Sequence, residues 1–175
     1  MRSFPAVVAA FVASLGFMAV PRASAAAERP FTVPAGWQRS PQSSFTIPAG
    51  GLCAFTLQAD VVEDEEITKI LQTWPDGSPR NQAFAGALVY KFTNVESGAS
   101  VTRNLSGDAL VHWGQDGSAS WDYAGPVAVA FFGSPLAQGL WVLDGVFVVD
   151  YSAAGAQTLP LHLGHEENLC TTLAP

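Results

Sequence analysis

Two cysteines, Cys53 and Cys170, stand more than a hundred residues apart and bracket nearly all of the strand-like sequence in this chain. Only one intramolecular pairing is available to them, and in an exported chain such a pair is expected to be oxidised. A bridge across so long a loop stabilises a fold by about 5 kcal/mol in the chain-entropy picture. That is a large share of the about 5–15 kcal/mol by which domains are stable. Redox and zinc chemistry want close pairs such as C-x-x-C, and the spacing here argues for a structural disulfide instead.

Export is read from the first residues. Arg2 precedes an apolar run over residues 6–20, AVVAAFVASLGFMAV, which has signal-peptide length and is too short for a membrane span. Ala23-Ser24-Ala25 fits the small-x-small cleavage rule, so residues 1–25 are expected to leave as a signal peptide, with cleavage after Ala27 as the alternative. Neither cut carries a lipoprotein cysteine. Residues 26–51 follow as an extended lead-in, where Pro30, Pro34, Pro41 and Pro48 block helix. Residues 52–175 then form a single β domain, placed outside the cell. The chain carries 15 acidic and 8 basic residues, a net charge of −7. Losing Arg2 and Arg22 with the leader makes it more negative still. Nucleic acid and anionic membranes are therefore poor partners, and no span is expected in the mature chain.

From Leu52 onward the residues alternate in the manner of strands. Cys53, Phe55, Leu57, Ala59 and Val61 share one face of the first. Pro75-Asp76-Gly77 and Asp116-Gly117 mark hairpins. Trp113 and Trp121 flank the second of these turns, three residues before Asp116 and four after Gly117, and are expected as a cross-strand pair. Residues 127–132 and 140–149 are apolar on both faces and should be covered on both sides. The last strand, about residues 168–172, carries Cys170. The expectation is an all-β fold: a single antiparallel up-and-down barrel, lipocalin-like in outline, with eight to ten short strands closed by the disulfide and no helix. A two-sheet β-sandwich fits the same pattern as the alternative.

The run Ile47-Pro48-Ala49-Gly50 to Cys53 and Phe55 is followed by the Pro-Asp-Gly turn, Thr93-Asn94 with Ser97-Gly98, and Leu105-Ser106-Gly107. After these come Asp116-Gly117-Ser118 and a near-terminal Cys170 followed by Thr-Thr-Leu. This series resembles small secreted proteins common in actinomycetes. The resemblance implies export, an all-β fold and the disulfide, and it carries over no catalytic residue.

Few residues suggest chemistry. His162, His165 and Glu166 have donor types that zinc accepts, with His112 available only through folding. They lack the one-face helical spacing of H-E-x-x-H, so an exposed turn is the plainer expectation. Glu63-Asp64-Glu65-Glu66 lacks the calcium-loop pattern and reads as a loop kept in water by charge repulsion. No G-x-S-x-G elbow or phosphate-binding glycine loop is present. Asp108, Asp122, Asp144 and Asp150 remain available as carboxylates. Arg103 and Asp144 each share a strand face with apolar residues, which makes them candidates for an interior ligand pocket; Asp144-Gly145 could equally mark a bulge.

These features describe an exported, noncatalytic barrel without cofactor or metal, binding a small apolar or amphiphilic molecule. An interaction, structural or inhibitor module that meets a surface protein is the second expectation. A barrel-type cyclase or isomerase is the third.

Overall fold

The computed structural model describes residues 31–175, so the signal peptide expected over residues 1–25 and its expected cleavage sites lie outside the described residues. Among the described residues the chain is all-β apart from one short helix. The lead-in supplies β1 (Gln38–Arg39) and β2 (Phe45–Ile47). Then come β3 (Leu57–Asp64), β4 (Ile67–Thr73), β5 (Pro79–Ala85), β6 (Leu88–Asn94) and β7 (Ser100–Asn104). These are followed by β8 (Asp108–Trp113), β9 (Ala119–Ala124), β10 (Val127–Phe131), β11 (Gly139–Tyr151), β12 (Gln157–Asn168) and α1 (Leu169–Thr172). All ladders are antiparallel. They form an eight-stranded sheet, β1-β4-β5-β8-β9-β11-β10 with β12 also on β11, and a four-stranded sheet, β2-β3-β6-β7.

The two sheets are largely the two arms of one bent meander. Asp64 pairs with Leu88 in the smaller sheet and Ile67 with Ala85 in the larger, in unbroken register, and Glu65 N–H reaches Ala87 O between them. Likewise Tyr90–Arg103 and Phe84–Ala109 keep one register, joined by Leu105 N–H to Leu88 O at 2.8 Å. β9 and β10 run along β11 as one strand, with Gly125 N–H donating to Gly145 O.

Where the arms meet, the registers align one residue per strand: Glu66, Gly86, Gly107, Gly125, Gly145 and Gly164. The row beside it on the same face is Thr68, Phe84, Ala109, Tyr123, Phe147 and His162. Glycine at the inner apex lets the arms close on each other. A Cβ on Gly145 would collide with Leu163 O and Gly164 Cα, and one on Gly164 with Asp144 O and Gly145 Cα. Their φ values, 149° and 154°, also suit glycine. The sharpness of the fold is visible in β12. Residues four apart on an extended strand are separated by about 13 Å, yet His162 and Glu166 hydrogen-bond across Gly164.

Folding along this seam packs much of the interior with side chains of the chain itself. One face of the β10–β11 ladder, with Ala128, Ala130, Leu140 and Val142, packs on Leu57, Ala59, Tyr90 and Phe92 of the smaller sheet. The other, with Val127, Val129, Phe131 and Leu143, packs on Phe147, Val149, Tyr151 and Leu159 beyond the seam. Double-sided burial of these strands thus comes from the chain itself, rather than from a barrel lumen and a covering segment.

The ladders form no closed barrel; the two-sheet arrangement is consistent with them. The single barrel needed the first and last strands to pair, and among the described residues the ladder of β12 runs only along β11. The ends are joined by the Cys53–Cys170 disulfide instead, with Cα atoms 5.1 Å apart. Cys53 lies in bends before β3, and Cys170 lies in α1 rather than in a strand. Residues 162–167, expected as a turn, belong to β12. Asn168 ends that strand and caps the helix, its side-chain oxygen accepting from Cys170 N–H at 2.9 Å.

Candidate ligand cavity

Between the arms on the concave side of the seam lies a partly open cavity of about 330 Å³. Phe84, Ala109, Trp121 and Tyr123 line it from the larger sheet, and Leu88, Tyr90 and Phe92 from the smaller. β strands alternate faces, so each contributes every second residue. The rings form a connected set. Trp121 stacks on Phe84 at 5.6 Å and on Tyr123 at 5.7 Å between centroids, and Tyr90 stacks on Phe92 at 5.7 Å. Trp113 meets Trp121 edge to face at 5.7 Å as a diagonal neighbour; the ladder sets Trp113 opposite Ala119 and Trp121 opposite Val111, so the two are not the direct cross-strand partners expected.

Gln42 and Phe45, both exposed, stand at the open side. Tyr90 fastens this part of the lead-in by donating its hydroxyl hydrogen to Ser43 O at 2.9 Å. Glu66, the one seam position without glycine, is among the residues lining the cavity. Gln42 Nε2 donates to Glu66 Oε2. Behind it, Asp64 accepts from Gln42 N–H at 2.7 Å and from Glu66 N–H at 3.0 Å. Burial raises the Glu66 carboxyl above its ordinary range; the Gln42 hydrogen bond opposes this and neighbouring Asp64 adds to it. Burial likewise raises the Tyr90 hydroxyl, helped by Asp64 and Glu66, and raises Tyr123 strongly. The lining holds one carboxyl and no lysine, arginine or histidine.

The residues singled out by sequence lie elsewhere. Arg103 and Asp144 do not enter this cavity; Asp144 is exposed, and both border an open depression beside β12. Arg103 makes a bidentate pair with Glu167, Nε to Oε2 and Nη2 to Oε1, each 2.7 Å, while Thr172 Oγ1 donates to Oε1. His162 meets Glu166 across the seam, and His165, one residue from the glycine, sits on the opposite face of β12. Among the described residues no group of three or more metal-ligating side chains is assembled. His112 is flanked by Asn81 at 3.1 Å and Asp122 at 3.2 Å on the outer face of the larger sheet. Asp76 and Asp116 hold their turns by accepting from Ser78 and Ser118.

Sequence reasoning missed Glu66, which is not in a solvated loop but in the corner between β3 and β4. The signal that could have found it is the glycine recurring at positions 86, 107, 125, 145 and 164, once per strand.

The Arg103–Glu167 pair predicts a modest pH effect. The Arg103 hydrogen bonds hold the Glu167 carboxyl below its ordinary range. Its stabilisation is therefore complete above the unfolded-state value and lost as pH falls through the lower folded one. Urea unfolding at stepped pH should show Arg103→Ala losing less stability on acidification than the parent; parallel acid limbs would contradict this.

No family model, curated protein or solved structure matches the chain.

Proposed function

We propose that this chain is an exported, noncatalytic binding protein that holds one small apolar or amphiphilic molecule in the aromatic cavity at the seam. The supporting observation is the cavity itself: about 330 Å³, walled by Phe84, Tyr90, Phe92, Trp121 and Tyr123, with Glu66 as the one charged side chain and Gln42 as the one amide. That volume lies at the low end of the about 300–1,000 Å³ range of small-molecule sites, and mostly apolar walls with a few placed polar groups are their usual composition. A single carboxyl with no basic partner favours binding over acid–base catalysis. The disulfide supports an extracellular location.

N-phenyl-1-naphthylamine, an uncharged aromatic probe, tests this reading. Its fluorescence should rise with saturable 1:1 stoichiometry. Ala109→Leu, which fills the space between Phe84 and Tyr123, should abolish the rise while thermal unfolding stays cooperative. Equal binding by parent and variant would sink the cavity as the site.

A second reading, an interaction module for a surface protein, is favoured by one observation. Val146 and Leu163 are cross-strand partners on β11 and β12, and both are exposed, at 48% and 62%. Concentration-dependent sedimentation abolished by Leu163→Ser would support it.

A further inference from the structure

We infer that the cavity selects organic cations, its occupant being a small amine or quaternary ammonium compound held by ring faces and by the Glu66 carboxylate. This rests on the cavity reading above and narrows it to a ligand class. Six aromatic side chains line the space: Phe45, Phe84, Tyr90, Phe92, Trp121 and Tyr123. Ring faces carry negative potential and attract ammonium groups, tryptophan most strongly. The only charged side chain in the lining is acidic. An anionic ligand would meet that carboxylate with no cation to answer it, and a neutral one would leave it without a counter-charge.

The surroundings of Glu66 sharpen the case. Its row is otherwise glycine, so no neighbouring side chain in the row screens the carboxyl at the inner apex. Its one side-chain partner, Gln42, is neutral. Asp64 stands behind with a second carboxylate. The cation on that side, Arg39, is engaged with Asp64 main-chain O at 2.6 Å and lies over the Phe31 ring at 5.0 Å, and it is not part of the lining. A half-buried carboxylate with a raised pKa gains a counter-charge when an ammonium enters. The chain's net charge of −7 draws cations towards it.

Three probes of similar shape separate the possibilities by tryptophan fluorescence or calorimetry: benzyltrimethylammonium, its uncharged isostere neopentylbenzene, and the anion phenylacetate. Benzyltrimethylammonium should bind at least about tenfold more tightly than neopentylbenzene, as a partly desolvated charge pair implies, and phenylacetate most weakly. Glu66→Gln should cut the preference severalfold by weakening the cation alone, leaving the part the rings supply, and its retained neutral binding reports an intact fold. Equal or tighter binding of neopentylbenzene, or a cation preference undiminished by Glu66→Gln, overturns the cation inference and leaves the cavity reading standing. If none of the three binds and N-phenyl-1-naphthylamine also fails, both fall together.

Discussion

Replacing Cys53 and Cys170 together with serine is expected to lower the unfolding free energy by about 4–5 kcal/mol, the loop-closure value for cysteines this far apart; their sequence separation is 117. At a urea m-value of about 2 kcal/mol per molar, the midpoint should fall by about 2 M. No ladder joins the two ends that the bridge connects. α1 has four residues, too few to hold itself as a helix. Its Leu169 and the following Leu173 are fully buried in the cluster containing Leu52, Cys53 and Phe55. Asn94, buried and polar, donates Nδ2–H to Leu173 O at 2.9 Å and accepts from Glu96 and Ser97 N–H. Opening the bridge frees the C-terminal segment to leave this cluster and strips Asn94 of a partner. The loss should be matched by dithiothreitol treatment of the parent. A midpoint shift below about 0.5 M would mean that packing alone holds the ends together.

Gly145→Ala should be nearly as damaging, for a different reason. The new methyl group would overlap Leu163 O and Gly164 Cα in the neighbouring strand, and both are backbone atoms that cannot swing aside. A φ of 149° adds strain for any residue with a side chain. Overpacking of this kind costs about 1–3 kcal/mol or more, and strained backbone about 1–3 kcal/mol again. Gly164→Ala should behave alike, because its Cβ would meet the mirror-related atoms Asp144 O and Gly145 Cα. The comparison is Gly77→Ala at a hairpin turn, where φ is also positive at 87° but the added methyl meets open space. That variant should lose only about 1 kcal/mol. Chemical denaturation of the three variants separates seam closure from ordinary glycine strain. If all three lose the same amount, the glycines do not set the fold of the meander.

Much of this architecture is legible in the chain because strand alternation and turn chemistry are local. The hairpins at Asp76-Gly77 and Asp116-Gly117 form where the residues place them, and Tyr90 and Phe92 face the core as their alternation implies. Strand closure is not local. The both-faces-apolar pattern of residues 127–132 and 140–149 holds as two coverings for residues 127–131 and 140–143, while Phe132 and Val146 are exposed, and it is equally satisfied by a lumen wall and by a hairpin folded on itself. The decision rests with the glycine row, whose members meet only after the registers are set. Asp144-Gly145 illustrates the difficulty: the dipeptide reads as a bulge or turn, while here it bends β11 without interrupting pairing to β12. For the same reason the acidic run 63–66 looks like a solvated loop. Its last member becomes the cavity carboxyl only because Glu66 falls opposite Gly86. The pairing of Arg103 with Glu167 likewise depends on β12 reaching past the seam.

The most direct measurement is the indole N–H region of a two-dimensional NMR spectrum during titration with N-phenyl-1-naphthylamine. Of the five tryptophans, Trp121 alone lines the cavity, while Trp74 and Trp141 lie outside the lining and hydrogen-bond through Nε1 to main-chain carbonyls. The account predicts a saturable shift of the Trp121 indole, smaller movement of Trp113 in edge contact with it, and stationary Trp74 and Trp141 signals. A stationary Trp121 signal, or shifts confined to Trp74 or Trp141, would contradict the cavity as the binding site.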